Sequence, residues 1–284
     1  MRLLFRNAKI GKNYTRCRFR GYHLIVRREY SDEEFLGKCC LEPERIGTGF
    51  APVNSSHYTR VYRFEHNHTI YFHKTYLPRN GMEPIKNVFF GTRAERAFKG
   101  DWVLEANGFS APKTLIVGKK GTHNFTVSQM ISSPLTLLQY FRGMSGLPLS
   151  ETKMLRRRKT IAEFGQKIGR LHFCGLSHGD LRWGNIIIDA SDVDNFRYVF
   201  LDNERTRQYR FLPDRKRLKN LVQLNMVPDV PVSQTDKLRF FNSYLKENPA
   251  LMTYKNEWIY RVVRKTRRRL ALRSKKQTSS ARET

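Results

Sequence analysis

The sequence predicts an α+β protein in which a small antiparallel sheet carrying one main helix is followed by a mainly helical region. Two observations carry this. From residue 45 to about 131, short runs of alternating apolar residues are separated by turn-forming clusters, the pattern of half-buried strands. Beyond residue 131 the apolar residues recur at spacings of three and four, the period of a helix with one buried face.

Taken in order, GYHLIVRREY followed by SDEEFLGKCC, within residues 1–44, reads as a strand and then a helix opened by Asp and Glu. RIGTGFAPV and YTRVYRFEHN flank the turn-forming NSSH (54–57), and HTIYFHKTYL follows, so residues 45–77 read as three antiparallel strands. FFGTRAERAFKGDWVLEANGF has Ala94, Phe98 and Trp102 at helical spacing and stops near Gly108. KTLIVG and FTVSQMI are two further strands. PLTLLQYF and RRRKTIAEFGQKIGRLHFCG are helical, the second with Ile161, Phe164, Ile168, Leu171 and His172 along one side. NIIID and YVFLD are short strands, and KRLKNLVQLN and TDKLRFFNSYLKEN are helices. The implied organisation is an extension at 1–44 packed on the small lobe, a sheet lobe at 45–131, a helical lobe at 132–250, and a basic helix and tail at 251–284.

With 53 Lys and Arg against 25 Asp and Glu, the formal charge is +28, which favours a polyanionic partner such as nucleic acid, an anionic membrane surface or an acidic glycolipid. The 13 Tyr and 19 Phe are dispersed rather than interleaved with the basic clusters, which argues against a base-stacking surface and makes nucleic acid the poorer choice. Cys17, Cys39, Cys40 and Cys174 show no CxxC spacing, so reduced thiols in a cytosolic protein are expected. No apolar stretch approaches the roughly 18 residues of a membrane span, so neither a span nor a secretion signal is expected.

The chemistry is concentrated in LSHGDLRWGNIIID (176–189), which sets His178, Asp180 and Asn185 in a tight polar loop ahead of an apolar run. With Asp202 at the end of the next strand, this spacing suits phosphoryl transfer from a metal-bound nucleotide. One carboxylate, Asp180, orients the attacking hydroxyl, while an amide and a second carboxylate, Asn185 and Asp202, hold Mg²⁺ against the phosphates of ATP. Lys74, emerging from the third strand, is placed to pair with the α- and β-phosphates, and a carboxylate on the following helix should position it. Glu95 is the first candidate for that carboxylate, with Asp101 and Glu105 as alternatives. Each of these residues alone would ordinarily be a surface charge or a turn former; their order along the chain is what gives them weight.

Residues 45–225 resemble the lipopolysaccharide kinase (Kdo/WaaP) family, in YFHKTYLPRNGMEPIKNVFFGTRAERAF, GFSAPKTLIVG, HGDLRWGNIIID and VFLDNERT. The resemblance implies a protein-kinase-like bilobal fold and ATP-dependent phosphorylation of an inner-core sugar hydroxyl, of heptose or Kdo. It places the ATP lysine at Lys74, the helix glutamate at Glu95, the catalytic aspartate at Asp180 and the metal pair at Asn185 and Asp202. There is no GxGxxG, so Asn54, Ser55 and Ser56 would have to cover the phosphates. Asp-Asn-Glu stands in place of Asp-Phe-Gly, which speaks for a fixed active state. Gly179 stands where eukaryotic protein kinases have Arg, as in aminoglycoside and choline kinases, so a small-molecule kinase of that type is the nearest alternative. A catalytically inactive kinase-like module binding an anionic surface is the other.

Basic residues cluster at 153–159, 210–219 and 261–276, the last with nine and no acid. Trp258, Val262 and Leu270 can share one helical side above them. This predicts an interfacial helix and a peripheral location on the cytoplasmic leaflet, where an anionic glycolipid acceptor is presented.

Overall fold

The computed structural model describes residues 12–44, 47, 49–131, 134–144, 150–189, 196–227 and 232–280. It divides into two compact units, residues 1–102 with 112–131 and residues 103–111 with 132–284.

The strands of the first unit are β1 (Tyr14–Phe19), β2 (Tyr22–Arg27), β3 (Ala51–Val53), β4 (Thr59–His66), β5 (Thr69–Tyr76), β6 (Thr114–Lys120) and β7 (His123–Gln129). They form one antiparallel sheet in the order β1-β2-β6-β7-β5-β4-β3. The β1–β2 and β4–β5 hairpins turn on Arg20-Gly21 and Asn67-His68, all four with positive φ, the two-residue turn whose twist matches that of paired strands. The helix α1 (Glu33–Cys39) starts where Asp32 accepts a bond from the Phe35 N–H at 2.8 Å. Its Phe35 and Leu36 pack with Phe64, Tyr71, Phe125 and Val127 on one face of the sheet. On the other face Tyr76 and Val117 meet Ala94 and Ala97 of α3 (Arg93–Ala106). Trp102, at the same helical spacing as Ala94 and Phe98, is exposed. The buried side of α3 runs instead through Ala94, Ala97, Asp101 and Leu104.

A short helix that the sequence pattern does not announce, α2 (Glu83–Phe90), precedes α3. Its buried residue is Glu83, whose carboxylate receives Arg96 Nη2 at 2.6 Å. Its apolar residues face outward.

The second unit contains α4 (Leu137–Arg142), α5 (Glu151–Phe173), α6 (Asp214–Asn225), α7 (Gln234–Lys246) and α8 (Lys255–Ser280). With them are the strands β8 (Pro134–Thr136), β9 (Leu176–Ser177), β10 (Ile186–Asp189), β11 (Arg197–Phe200) and β12 (Arg207–Gln208), in the orders β11-β10-β8 and β12-β9. Residues 134–136, expected to open a helix, pair with β10 instead. The helix begins at Leu137 because Thr136 and Gln139 close a capping box there. The side of α5 expected to be apolar is buried, including Ile161, Phe164, Ile168, Leu171 and His172. α5 and α7 cross at Gly165 and Gly169, where an added Cβ would lie 2.3 Å from the Phe240 carbonyl oxygen and 2.7 Å from that of Tyr244.

The free apolar side expected on the terminal helix is not what α8 offers. Trp258 is 2% exposed, and Ile259 and Val262 pack with it into the core. Farther along, Asn225 donates to the Thr266 hydroxyl at 3.0 Å. Only Leu270, of the three residues expected to line that side, reaches solvent. No helix among the described residues is long and apolar enough to cross a membrane.

Candidate active site

In the second unit, the loop between β9 and β10 holds Asp180 and Asn185 against each other. The Asn185 side-chain N–H donates to the Asp180 carbonyl at 3.0 Å and lies 3.4 Å from its carboxylate. This fixes the opposite corner of the amide as its oxygen. Asp180 Oδ1 accepts from Gln223 Nε2 at 3.0 Å and pairs with Arg182 Nε at 2.8 Å. The Leu201 N–H donates to the Asn185 carbonyl at 2.8 Å and ties the end of β11 to the loop, one residue before Asp202. Asp202 itself is left-handed, φ 56 and ψ 48, a conformation Asp tolerates better than most residues.

Two features of the loop follow from its backbone. Gly179 has φ +77, and a Cβ there would stand 2.5 Å from the Cβ of Arg205, so no side chain fits. The loop's carbonyls and amides are gripped from α6: Lys219 Nζ donates to the Gly179 carbonyl at 2.6 Å, and Gln223 Oε1 receives the Leu181 N–H at 3.2 Å. Asn220 Oδ1 receives the His178 N–H at 3.3 Å and His172 Nε2 at 3.2 Å. These α6 residues lie some forty positions downstream and carry no local motif; their trace in the sequence is a pair of amides, three apart, among the leucines of the helix.

His178 is fully buried beside Phe200, and among the described residues neither ring nitrogen has a partner in hydrogen-bond geometry. Burial pulls its pKa down, against the opposing pull of the Asp180 and Asp202 charges. Behind Asp202 the chain is tied in place: Asn203 Nδ2 donates to the Phe200 carbonyl at 2.6 Å, and β12 pairs with β9.

Asn185 and Asp202 offer hard oxygen donors, the type Mg²⁺ takes, with waters and phosphate oxygens filling its remaining positions. No cluster of three or more His, Cys, Asp or Glu among the described residues could hold a metal in their place. The loop carries one basic residue, Arg182, and is met by another, Lys219, whose pKa is lowered by burial and then by Arg205, Lys216 and Arg269, with Asp180 opposing.

In the first unit, Lys74 sits on β5 between Val61 of β4 and Thr126 of β7, on the face that α3 covers. Its ammonium lies 5.4 Å from the centre of the Tyr76 ring, and the Arg93 guanidinium 5.2 Å from it. Arg93 donates to the carbonyls of Tyr58 and Leu77 at 2.6 and 2.7 Å, fastening the turn that precedes β4 to the end of β5. Glu95 accepts the Thr92 N–H at 2.6 Å while the Thr92 hydroxyl accepts the Glu95 N–H at 3.2 Å, a capping box legible in the sequence as TRAE. Asp101 accepts from the Thr114 hydroxyl at 2.8 Å within the unit's interior. In the turn, the Ser55 hydroxyl donates to the Thr59 carbonyl, and Ser56 pairs with the Thr59 hydroxyl, each at 2.9 Å, while Asn54 is exposed.

The model of the lipopolysaccharide kinase (Kdo/WaaP) family matches residues 47–244. Among solved structures, WaaP in complex with acyl carrier protein is 18% identical, covering 86% of this chain and 98% of that one, with a TM-score of 0.61. WbdD is 15% identical over 76% of this chain and 50% of that one, with a TM-score of 0.45. The PknI kinase domain of Mycobacterium tuberculosis is 11% identical over 68% and 79%, with a TM-score of 0.44. No curated protein sequence matches. The likeness to WaaP carries the protein-kinase-like fold, as the order of motifs led one to expect.

Proposed function

The chain belongs to the lipopolysaccharide kinase (Kdo/WaaP) family, and from that premise we propose that it transfers the γ-phosphoryl group of ATP to a heptose or Kdo hydroxyl of the lipopolysaccharide inner core. Membership makes it a phosphotransferase acting on a sugar hydroxyl; donor, metal and acceptor sugar are the proposal. The observation that carries it is the loop geometry, in which Asp180, bonded to Gln223 and paired with Arg182, stands beside Asn185. A carboxylate held this way can orient an acceptor hydroxyl and take its proton as that oxygen bonds to the γ-phosphorus and the bond to the ADP oxygen breaks.

In this reading Asn185 and Asp202 would hold Mg²⁺, which would neutralise charge on the phosphates, and Lys74 would pair with the α- and β-phosphates, while Glu95 fixes the start of α3. The hydroxyls of Ser55 and Ser56 shape their turn, so any cover over the phosphates comes from backbone amides of Asn54, Ser55 and Ser56.

The acceptor class is supported by Arg182 and Lys219 at the Asp180 loop and by Arg205, Lys216 and Arg269, whose charges act on Lys219. They suit an anionic glycolipid and oppose a cationic aminoglycoside. The protein then works peripherally on the cytoplasmic leaflet, where a membrane-borne acceptor would meet ATP.

The test is to offer ATP and Mg²⁺ with purified inner-core lipopolysaccharide, with a Kdo-only acceptor and with an aminoglycoside, and to locate the new phosphate by ³¹P NMR. We expect phosphate on a heptose or Kdo hydroxyl and none on the aminoglycoside. Preferential transfer to the aminoglycoside would overturn the acceptor assignment.

A further inference from the structure

α2 is an amphipathic helix turned inside out. Its polar side is the buried one: Glu83 is 5% exposed and is held by Arg96, which also donates to the Gly91 carbonyl at 2.7 Å. Away from it Met82 (56% exposed), Ile85 (51%), Val88 (82%) and Phe89 (53%) face solvent, and Phe90 (69%) is exposed at the C-terminal end of the helix. A run of large apolar side chains so open to water costs solubility unless something covers it, and a patch of this kind marks an interaction surface. Of the acids next to α2, Glu83 is paired and buried and Glu95, beside Gly91, is half-buried and held by the Thr92 N–H, while Lys86 is exposed. The patch is therefore apolar and bordered by positive charge, in a chain of net charge +28. Phenylalanines beside a lysine with no exposed acid are complementary to an anionic lipid surface.

We infer that α2 inserts its apolar side into the interfacial layer of an anionic bilayer and so holds the enzyme at the membrane. The inference rests on the reading of the acceptor as a membrane-borne glycolipid. It assigns to α2 the apolar contact expected of Trp258 and Val262, which in α8 are packed in the core.

The experiment takes the full chain and vesicles of phosphatidylethanolamine and phosphatidylglycerol without lipopolysaccharide, at low salt, and measures sedimentation with the vesicles. A double variant, Val88→Glu with Phe90→Glu, alters only exposed positions. It should bind at least tenfold more weakly, while Val88→Leu with Phe90→Leu should bind as the wild type does. Both should melt like the wild type and phosphorylate a water-soluble, deacylated core oligosaccharide at an unchanged rate. The vesicle assay needs no phosphoryl transfer, so failure of the kinase reading would show in the soluble assay alone. Equal sedimentation of the glutamate variant would overturn the inference. So would a wild type that ignores the vesicles, or one that self-associates in solution through contacts the glutamates abolish, since α2 would then seal an interface between copies.

Discussion

At the residue scale, three histidines tie stability to pH. His73 and His172 are fully buried, and burial pushes each pKa down to about 3; that of His178 is lowered by the same cause. In the unfolded chain an imidazole takes up its proton near pH 6.5. Between that value and the folded pKa the unfolded state binds more protons, so acid favours unfolding by up to about 1.4 kcal/mol per pH unit for each histidine. Their contribution is intact above pH 6.5 and is lost as pH falls below it. We expect urea unfolding to show a loss of about 3 kcal/mol between pH 6.5 and 5 from His73 and His172 together, and replacing His172 by Gln to reduce that slope. A stability unchanged over this range would contradict their burial as neutral rings. Single residues were unevenly legible. Asp180 and Asn185 could be picked out because their spacing is local, and the loop does set them against each other; the Thr92–Glu95 capping box has equally local spacing but went unread, Glu95 being expected instead as the partner of Lys74. Asn220 and Gln223 were not, since what makes them matter is a loop forty residues away that only folding brings to them.

At the element scale, strands and helices whose apolar side faces the core followed the pattern, as β4, β5, β7 and α5 do. β1 did not, because as an edge strand it alternates arginines with half-buried residues and carries little apolar periodicity. α2 went unread for a different reason: the side that packs is Glu83 with Asn87, so no apolar side turned to the core announces it. On α8 the apolar side was legible while its destination was not, since a helix side that meets the core reads the same as one that meets lipid. The α5–α7 crossing makes a prediction of its own. Gly165→Ala forces a methyl group against the Phe240 carbonyl, with 2.3 Å available, and should lower the unfolding free energy, by about 1–3 kcal/mol from overpacking. Gly143→Ala, where the nearest neighbours are at 3.6 Å, should leave it nearly unchanged. Equal melting of the two variants would mean the crossing is looser than described.

At the scale of the whole molecule, the excess of positive charge has specific places to act: Arg182 and Lys219 at the Asp180 loop, and a lysine beside the apolar side of α2. The first suits the anionic acceptor and the second the surface that would present it. Phosphoryl transfer by this chain turns on one carboxylate, Asp180. The most direct test is the transfer of labelled γ-phosphate from ATP to purified inner-core lipopolysaccharide by wild type and by Asp180→Ala, with nucleotide binding and thermal melting followed on both. The account predicts that the variant folds and binds ATP as the wild type does but transfers phosphate at least about a hundredfold more slowly, the low end of what a positioned general base contributes. Transfer by Asp180→Ala at the wild-type rate would contradict it.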